Sequence, residues 1–152
     1  MPFNDGKNEF NYSYFSSVQD DVCPNGILAP EYDAATVILG DEWRIPTKTD
    51  FRELIHNAEH KWITNYQGSR INGILFTSKN NDAELFMPAS GYRSGFSFYT
   101  GGKGAQLWSS TICSTAATAN YAYNIYFNSY MSCFMNANER ACGFCLRGVK
   151  AP

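Results

Sequence analysis

A run of 35 residues without Asp, Glu, Lys or Arg, from Gly104 to Asn138, constrains this chain more than any other feature. Within it, residues 120–138 hold nine Asn and Tyr, against 15 in the other 133 residues of the chain. A long uncharged segment of this kind is either buried in the core or exposed on a surface that makes contacts without charge. The alternation of residue types distinguishes the two.

Residues 121–130 follow the period of two that is typical of a half-buried strand. Ile125 and Phe127 fall on one face of that strand, which suits a core. The other face carries amide and phenol side chains, those of Asn124, Tyr126, Asn128 and Tyr130. Tyr gives a large contact area at low rotamer cost, and Asn and Ser give adaptable hydrogen bonds. This pattern favours a binding surface over a Tyr-rich sheet edge that merely avoids aggregation.

Length and composition predict one globular domain over residues 1–152, with 1–30 as an N-terminal extension or first strands. Aromatic residues make up 16% of the chain, more than a core of this size needs, so some should be exposed. A net charge of −2 gives no attraction for phosphate backbones, so nucleic acid is not an expected partner. We expect no membrane span and no signal peptide, because no long apolar run or h-region is present.

Two predicted helices followed by several short apolar runs indicate an α+β fold with short, mostly antiparallel strands and long loops. The first helix is predicted at Glu31–Leu39, ended by Gly40. A strand is also expected at Phe10–Phe15. The other predicted strands are Ile74–Phe76, Glu84–Met87, Gln106–Trp108, Tyr121–Phe127 and Phe144–Val149.

The second helix is predicted to begin near Pro46, because Thr47 and Asp50 have the spacing of a capping box. Its apolar stripe runs at helical spacing and comprises Phe51, Leu54, Ile55, Ala58 and Trp62. His56, Glu59 and His60 match the H-x-x-E-H pattern of a zinc helix, but both histidines fall opposite the stripe. A solvated helix face is therefore favoured over a metal site.

Five cysteines, an odd number, argue against a full disulfide framework as the basis of the fold. Cys142 and Cys145 have C-x-x-C spacing, but too little chain follows for the helix that would activate the first thiol. Zinc binding by Cys113, Cys133, Cys142 and Cys145 is not favoured, because these four cysteines include only one C-x-x-C pair. No cofactor and no metal are expected, and free thiols are favoured.

A set of motifs in order resembles the Fibrobacter-type major paralogous domain, a bacterial and phage group with a C-type-lectin-like fold akin to the formylglycine-generating enzyme. The motifs are WRIPT from Trp43, NGILF from Asn72, LFMPASGYR from Leu85, the segment from Gly104 through Trp108-Ser-Ser-Thr, and Arg140 with GFCLRGV from Gly143. The resemblance covers roughly residues 31–149 and implies a C-type-lectin-like fold.

Within that group the chain looks closest to the variable proteins of diversity-generating retroelements. In these, a reverse transcriptase rewrites Asn codons near the end of the gene, and the altered side chains lie on a binding face. The resemblance implies a candidate variable region at 104–149 and no enzymatic activity. Residues compatible with rewritten AAC or AAT codons form the candidate ligand-binding set: Tyr121, Tyr123, Asn124, Tyr126, Asn128, Tyr130, Ser132, Cys133, Phe134, Asn136, Asn138, Ala141 and Cys142. Met131, Met135 and Glu139 are not compatible and should be fixed.

We expect framework roles for six residues: Trp43, Trp108, Ile125 and Phe127 should build a rigid core, and the motif positions Arg140 and Arg147 should be hydrogen-bond anchors for loops. The Pro triads and the Trp-Asn-Asp motif of calcium-dependent sugar-binding lectins are missing, so a calcium–sugar site is not expected. The expected partner is a protein or a glycan, met on a phage particle or a cell surface. Two alternatives stay open: an oxidase related to the formylglycine-generating enzymes, and a bacterial surface domain without a diversified face.

Overall fold

The structure, a computed structural model, describes residues 22–113, 120–130 and 132–150. The strand expected at Phe10–Phe15 lies outside these residues. Two helices are described, α1 (Ala34–Leu39) and α2 (Lys48–Asn57). The described strands are β1 (Trp43–Arg44), β2 (Ala58–Ile63), β3 (Gly73–Ser78), β4 (Glu84–Pro88), β5 (Tyr92–Ser94), β6 (Ser97–Tyr99), β7 (Gly104–Ile112), β8 (Tyr121–Asn128), β9 (Cys133–Glu139) and β10 (Val149–Lys150).

Helix α1 begins later than predicted, because Pro30–Tyr32 forms a separate 3-10 turn. The buried Asp33 caps α1: its Oδ1 accepts hydrogen bonds from the N–H groups of Ala35 and Thr36. Its Oδ2 accepts from the N–H of Ile45 at 2.8 Å, which ties the helix to the next segment. Gly40, with a φ of 96°, ends the helix as expected.

The predicted capping box of α2 is confirmed: Thr47 accepts from the Asp50 N–H, and the Asp50 carboxylate accepts from the Thr47 N–H. The prediction that the helix continues to Trp62 is wrong. It ends at Asn57, and Ala58–Ile63 forms β2 instead. Residues 58–63 pair one for one with Gly73–Ser78, so pairing with the next strand overrides a helical spacing that also fits a strand.

The strands form two three-stranded antiparallel sheets, β2-β3-β4 and β7-β8-β9, and two pairs, β5-β6 and β1-β10. The architecture is thus mixed helix and sheet, with two helices and antiparallel strands among the described residues. The predicted strands at 74–76, 84–87, 106–108 and 121–127 are confirmed within longer ones. The strand predicted at Phe144–Val149 is wrong except at its end, because Gly143 and Cys145 form only isolated bridges.

The core lies between α2 and the facing sides of the two larger sheets. Its buried members are Phe51, Ala58, Ile74, Phe76, Met87, Ala105, Leu107, Ile125 and Phe127. Ile125 and Phe127 are fully buried, as expected, whereas Trp43 and Trp108 are only half-buried and lie outside this cluster. In the described part of the chain, no helix has the length and apolar character needed to cross a bilayer.

Candidate functional site

The β7-β8-β9 sheet has two chemically different faces. Ala105, Leu107, Ile125 and Phe127 face the core, and Cys133 and Met135 of β9 pack against it. The intervening residues of the pleated strands point the other way. We call this side the outer face; it comprises Gln106, Trp108, Asn124, Tyr126, Asn128, Phe134, Asn136 and Asn138. None of these side chains carries a charge.

Tyr126 and Phe134 form the aromatic centre of the outer face. They are directly opposite each other on β8 and β9, and their ring centroids are 5.1 Å apart. Tyr126 is half-buried, and Phe134 is 47% exposed. The Nδ2 of Asn128 donates to the Tyr126 hydroxyl at 2.9 Å, which fixes the phenol in place. A pre-positioned aromatic pair of this kind offers contact area at low entropic cost.

Asn128 also holds the turn between β8 and β9. Its Oδ1 accepts from the N–H groups of Tyr130 at 2.9 Å and Ser132 at 3.3 Å. Tyr130, at the tip of this hairpin, is 87% exposed, and Ser132 is half-buried. The Asn128 side chain therefore holds the Tyr126 phenol and the turn that carries the exposed Tyr130.

Three asparagines form a hydrogen-bonded cluster farther along the outer face. The Oδ1 of Asn138 accepts from the Nδ2 of Asn124 at 3.0 Å and from the Nδ2 of Asn136 at 3.1 Å. Asn136 and Asn138 are half-buried, but Asn124 is fully buried. The expectation that Asn124 faces a partner is therefore wrong, because its side chain has no exposed surface.

Two amide oxygens beneath this face have no hydrogen-bond partner among the described residues. They are the Oδ1 of Asn124 and the Oε1 of Gln106, and both side chains are buried. Gln106 pairs with Tyr126, two positions along β8 from Asn124. Such unpaired buried acceptors commonly bind an internal water molecule.

Tyr121 and Tyr123 lie on the other side of β8 from Tyr126, in alternation with Ala122 and Asn124. The Nζ of Lys48, at the start of α2, lies 3.5 Å from the centroid of the Tyr123 ring. The Tyr121 hydroxyl donates to a Glu139 carboxylate oxygen at 3.4 Å. The structure therefore does not bring these two half-buried tyrosines onto the outer face with the rest of the candidate set.

Cys133 is a further correction to the candidate set. It packs against the core, and burial raises the pKa of its thiol to about 12. Alternation along β9 puts it on the opposite side of the strand from Phe134, so it does not belong to the outer face. Its neutral thiol acts as a small apolar group there.

An aromatic cluster that the sequence reasoning missed lies beside the outer face. Phe144 stacks on Trp108 with centroids 4.2 Å apart, and Tyr92 meets the Phe144 ring edge-on at 5.5 Å. Tyr99 stacks on Tyr92 across the β5-β6 pair at 5.3 Å. Burial raises the pKa of Tyr92, with smaller contributions from the Tyr126 and Tyr99 phenols. The sequence feature that could have indicated this cluster is the high aromatic content of residues 92–99.

The β5-β6 hairpin extends this aromatic cluster into solvent. Phe96 at its turn is 99% exposed, and Phe98 is also exposed. The Arg93 guanidinium lies 5.9 Å from the centroid of the Phe98 ring. Exposed aromatic groups next to an uncharged sheet face are a feature of contact surfaces.

Cys142 and Ala141 lie at the margin of the outer face, and both are half-buried. The Cys142 thiol donates to Ser94 Oγ at 3.9 Å, and burial raises its pKa. All five cysteines are free thiols. Burial also raises the pKa values of Cys23 and Cys113.

The two framework arginines lie near the ends of this region. Arg147 Nη1 donates to the carbonyl of Phe86 in β4 at 3.2 Å, which fits an anchoring role. The Arg140 N–H donates to the carbonyl of Asn120 at 2.9 Å, and burial lowers the pKa of the Arg140 guanidinium.

The histidines of the H-x-x-E-H pattern lie on different elements. His56 belongs to α2, whereas His60 lies in β2, with its ring 5.9 Å from that of Phe76. No group of three His, Cys, Asp or Glu that could hold a metal ion is found among residues 22–113, 120–130 and 132–150. Comparison with protein-family models, with curated proteins and with solved structures found no match to this chain.

Proposed function

We propose that this protein is a non-enzymatic ligand-binding protein with a C-type-lectin-like fold, whose candidate variable region at 104–149 is diversified by a retroelement. Its partner is a protein or a glycan. The contact residues are those of the candidate set that lie on the outer face or beyond it in the hairpin: Tyr126, Asn128, Tyr130, Ser132, Phe134, Asn136 and Asn138. Ala141 and Cys142 lie at the margin.

One observation carries this proposal: the same sheet has an apolar face in the core and an uncharged, partly exposed face of phenyl, phenol and amide groups opposite it. Side chains on the outer face can change while Ile125 and Phe127 continue to hold the sheet against α2. A surface that tolerates replacement in this way is what diversification requires. Asn124, although compatible with a rewritten codon, should be fixed because it is buried.

The raised pKa of Cys142 favours the ligand-binding function over the other candidate, an oxidase related to the formylglycine-generating enzymes. A nucleophilic or metal-binding cysteine needs a thiolate, which a lowered pKa provides. Thiol titration and a copper-binding assay separate the two functions. We expect no copper uptake and alkylation that follows exposure, fastest at Cys145 and slower at the more buried thiols. Stoichiometric copper binding with rapid alkylation of Cys133 or Cys142 would favour the oxidase.

The DNA that adjoins the gene tests the diversification itself without any ligand. We expect a near-copy of the 3′ end of the gene beside a reverse transcriptase gene. The two copies should differ only where the template has adenines, at codons for outer-face residues. A genome with no such repeat would contradict this part of the proposal and leave the third possibility, a surface domain without a diversified face.

A Tyr126→Ala variant tests the binding surface once a ligand has been captured by the parent protein. Tyr126 lies at the centre of the outer face, and central tyrosines commonly dominate affinity, so we expect a loss of about 2 kcal/mol, or roughly 30-fold in Kd. Tyr32→Ala, which removes a partly exposed tyrosine far from β7-β9 in sequence, is the control and should bind like the parent. Equal Kd values for all three proteins would refute the assignment of the face.

A further inference from the structure

A groove of about 530 Å³ lies between α2 and β9, at the edge of the β7-β8-β9 sheet. It is lined by Arg52, Ile55, His56, Lys79, Cys133, Phe134 and Met135. Its volume falls within the range of about 300–1,000 Å³ that is usual for small-molecule sites. The groove is distinct from the aromatic centre of the outer face, although Phe134 borders both.

The polar wall of the groove is basic. Arg52 projects from α2 and forms no salt bridge with a described residue. Lys79 is held at the end of the same helix, because its N–H donates to the Asn57 carbonyl at 2.9 Å and its Nζ to the His56 carbonyl at 2.8 Å. None of the described residues that line the groove is acidic, so the two cations have no opposing charge there.

The opposite wall is apolar. Phe134 exposes almost half of its surface, and Ile55 and Met135 are partly buried against the core, which fixes their positions. Cys133 adds a neutral thiol to this wall, because burial holds its pKa at about 12. A ligand that fits both walls must therefore combine an apolar body with a negative charge.

We propose that this groove binds a small organic anion with an apolar body, such as a medium-chain carboxylate. The carboxylate meets the Arg52 guanidinium and the Lys79 ammonium, and the hydrocarbon packs on Ile55, Phe134 and Met135. Arg suits this role because its planar fork of N–H groups matches a carboxylate. The groove shares Phe134 with the outer face, but its binding of an anion does not require that the outer face binds a partner.

Octanoate is the probe, and the ¹³C-labelled methionine methyl groups of the intact protein are the reporters. We expect a saturable shift of the Met135 signal and none for Met87, which is buried in the core. Trimethyloctylammonium has the same chain with the opposite charge and should not shift Met135. Absence of a saturable octanoate shift, or an equal response to the cation, would overturn the proposal.

Charge-neutralising variants test the basic wall. Arg52→Gln and Lys79→Gln should each weaken octanoate binding about two- to fivefold, as expected for exposed charge pairs, and about 0.5 M salt should weaken parent binding similarly. Lys61→Gln, which removes an exposed cation of β2 outside the groove, is the matched control and should bind like the parent. An equal loss in the Lys61 variant would mean that binding follows net charge and not the groove. Circular dichroism of each variant checks that it is folded.

Discussion

Asparagines of the candidate variable region have different roles because their surroundings differ. Asn128 is half-buried, and its Oδ1 accepts two backbone N–H groups in the turn that leads to Tyr130. Asn124 is fully buried, and its Oδ1 has no partner among the described residues. Residue type and alternation alone therefore could not separate a contact residue from a buried one.

Replacement of each asparagine by Asp tests this difference with the smallest change of shape. Asn124→Asp puts a carboxylate into a fully buried site and removes the Nδ2 that donates to Asn138, so the free energy of unfolding should fall by about 3 kcal/mol or more at neutral pH. The difference in free energy of unfolding between the parent and this variant should shrink as pH falls, because burial favours the protonated carboxyl.

Asn128→Asp is the matched control. Its carboxylate keeps both backbone hydrogen bonds and can accept from the Tyr126 hydroxyl in place of the amide donation, so the cost should stay below about 1 kcal/mol. Urea unfolding of both variants gives the comparison. Equal losses at neutral pH would contradict the assigned burial.

Elements with a signal in their own sequence were predicted well, and elements that form only by pairing with a neighbouring strand were not. The capping box of α2 and the alternation of β8 can both be recognised from residues that are close in sequence. The end of α2 at Asn57 cannot, because residues 58–63 have helical spacing and become a strand only by pairing with β3. Likewise β9 has no clear alternation in its sequence and forms against β8.

The start of α2 provides a prediction at this scale. Hydrogen bonds from the Arg44 guanidinium, opposed by burial and aided by Thr47, lower the pKa of Asp50 to about 2. A carboxylate with a lowered pKa stabilises the fold above its unfolded pKa of about 4, and the contribution is lost as pH falls through about 2. Because this pair is partly exposed, Asp50→Asn should cost about 1–2 kcal/mol at neutral pH.

Urea unfolding at neutral pH and at about pH 2 measures this contribution. The gap between parent and Asp50→Asn should narrow at the lower pH, whereas Asp82→Asn, an exposed site, should match the parent at both. A gap that is unchanged by acid would contradict the role of the Arg44–Asp50 pair.

On the scale of the whole molecule, the mixed helix and sheet arrangement was predictable, but the composition of the site was only partly so. Alternation correctly assigned Ile125 and Phe127 to the core face of β8 and Tyr126 to its outer face. The aromatic cluster of Tyr92, Tyr99 and Phe144 could not be found in the same way, because it joins a hairpin and a loop that are about fifty residues apart. Site residues taken from one segment of the sequence therefore missed this aromatic part of the surface.

The central claim is that the outer face can be replaced while the core face holds the fold. The most direct test is the free energy of unfolding of a triple variant, Tyr126→Ser with Tyr130→Ser and Phe134→Ser, beside the single variant Phe127→Ala. The account predicts a loss of about 2 kcal/mol or less for the triple variant and about 3–5 kcal/mol for the single one. A triple variant that is unfolded, or that loses more stability than Phe127→Ala, would contradict it.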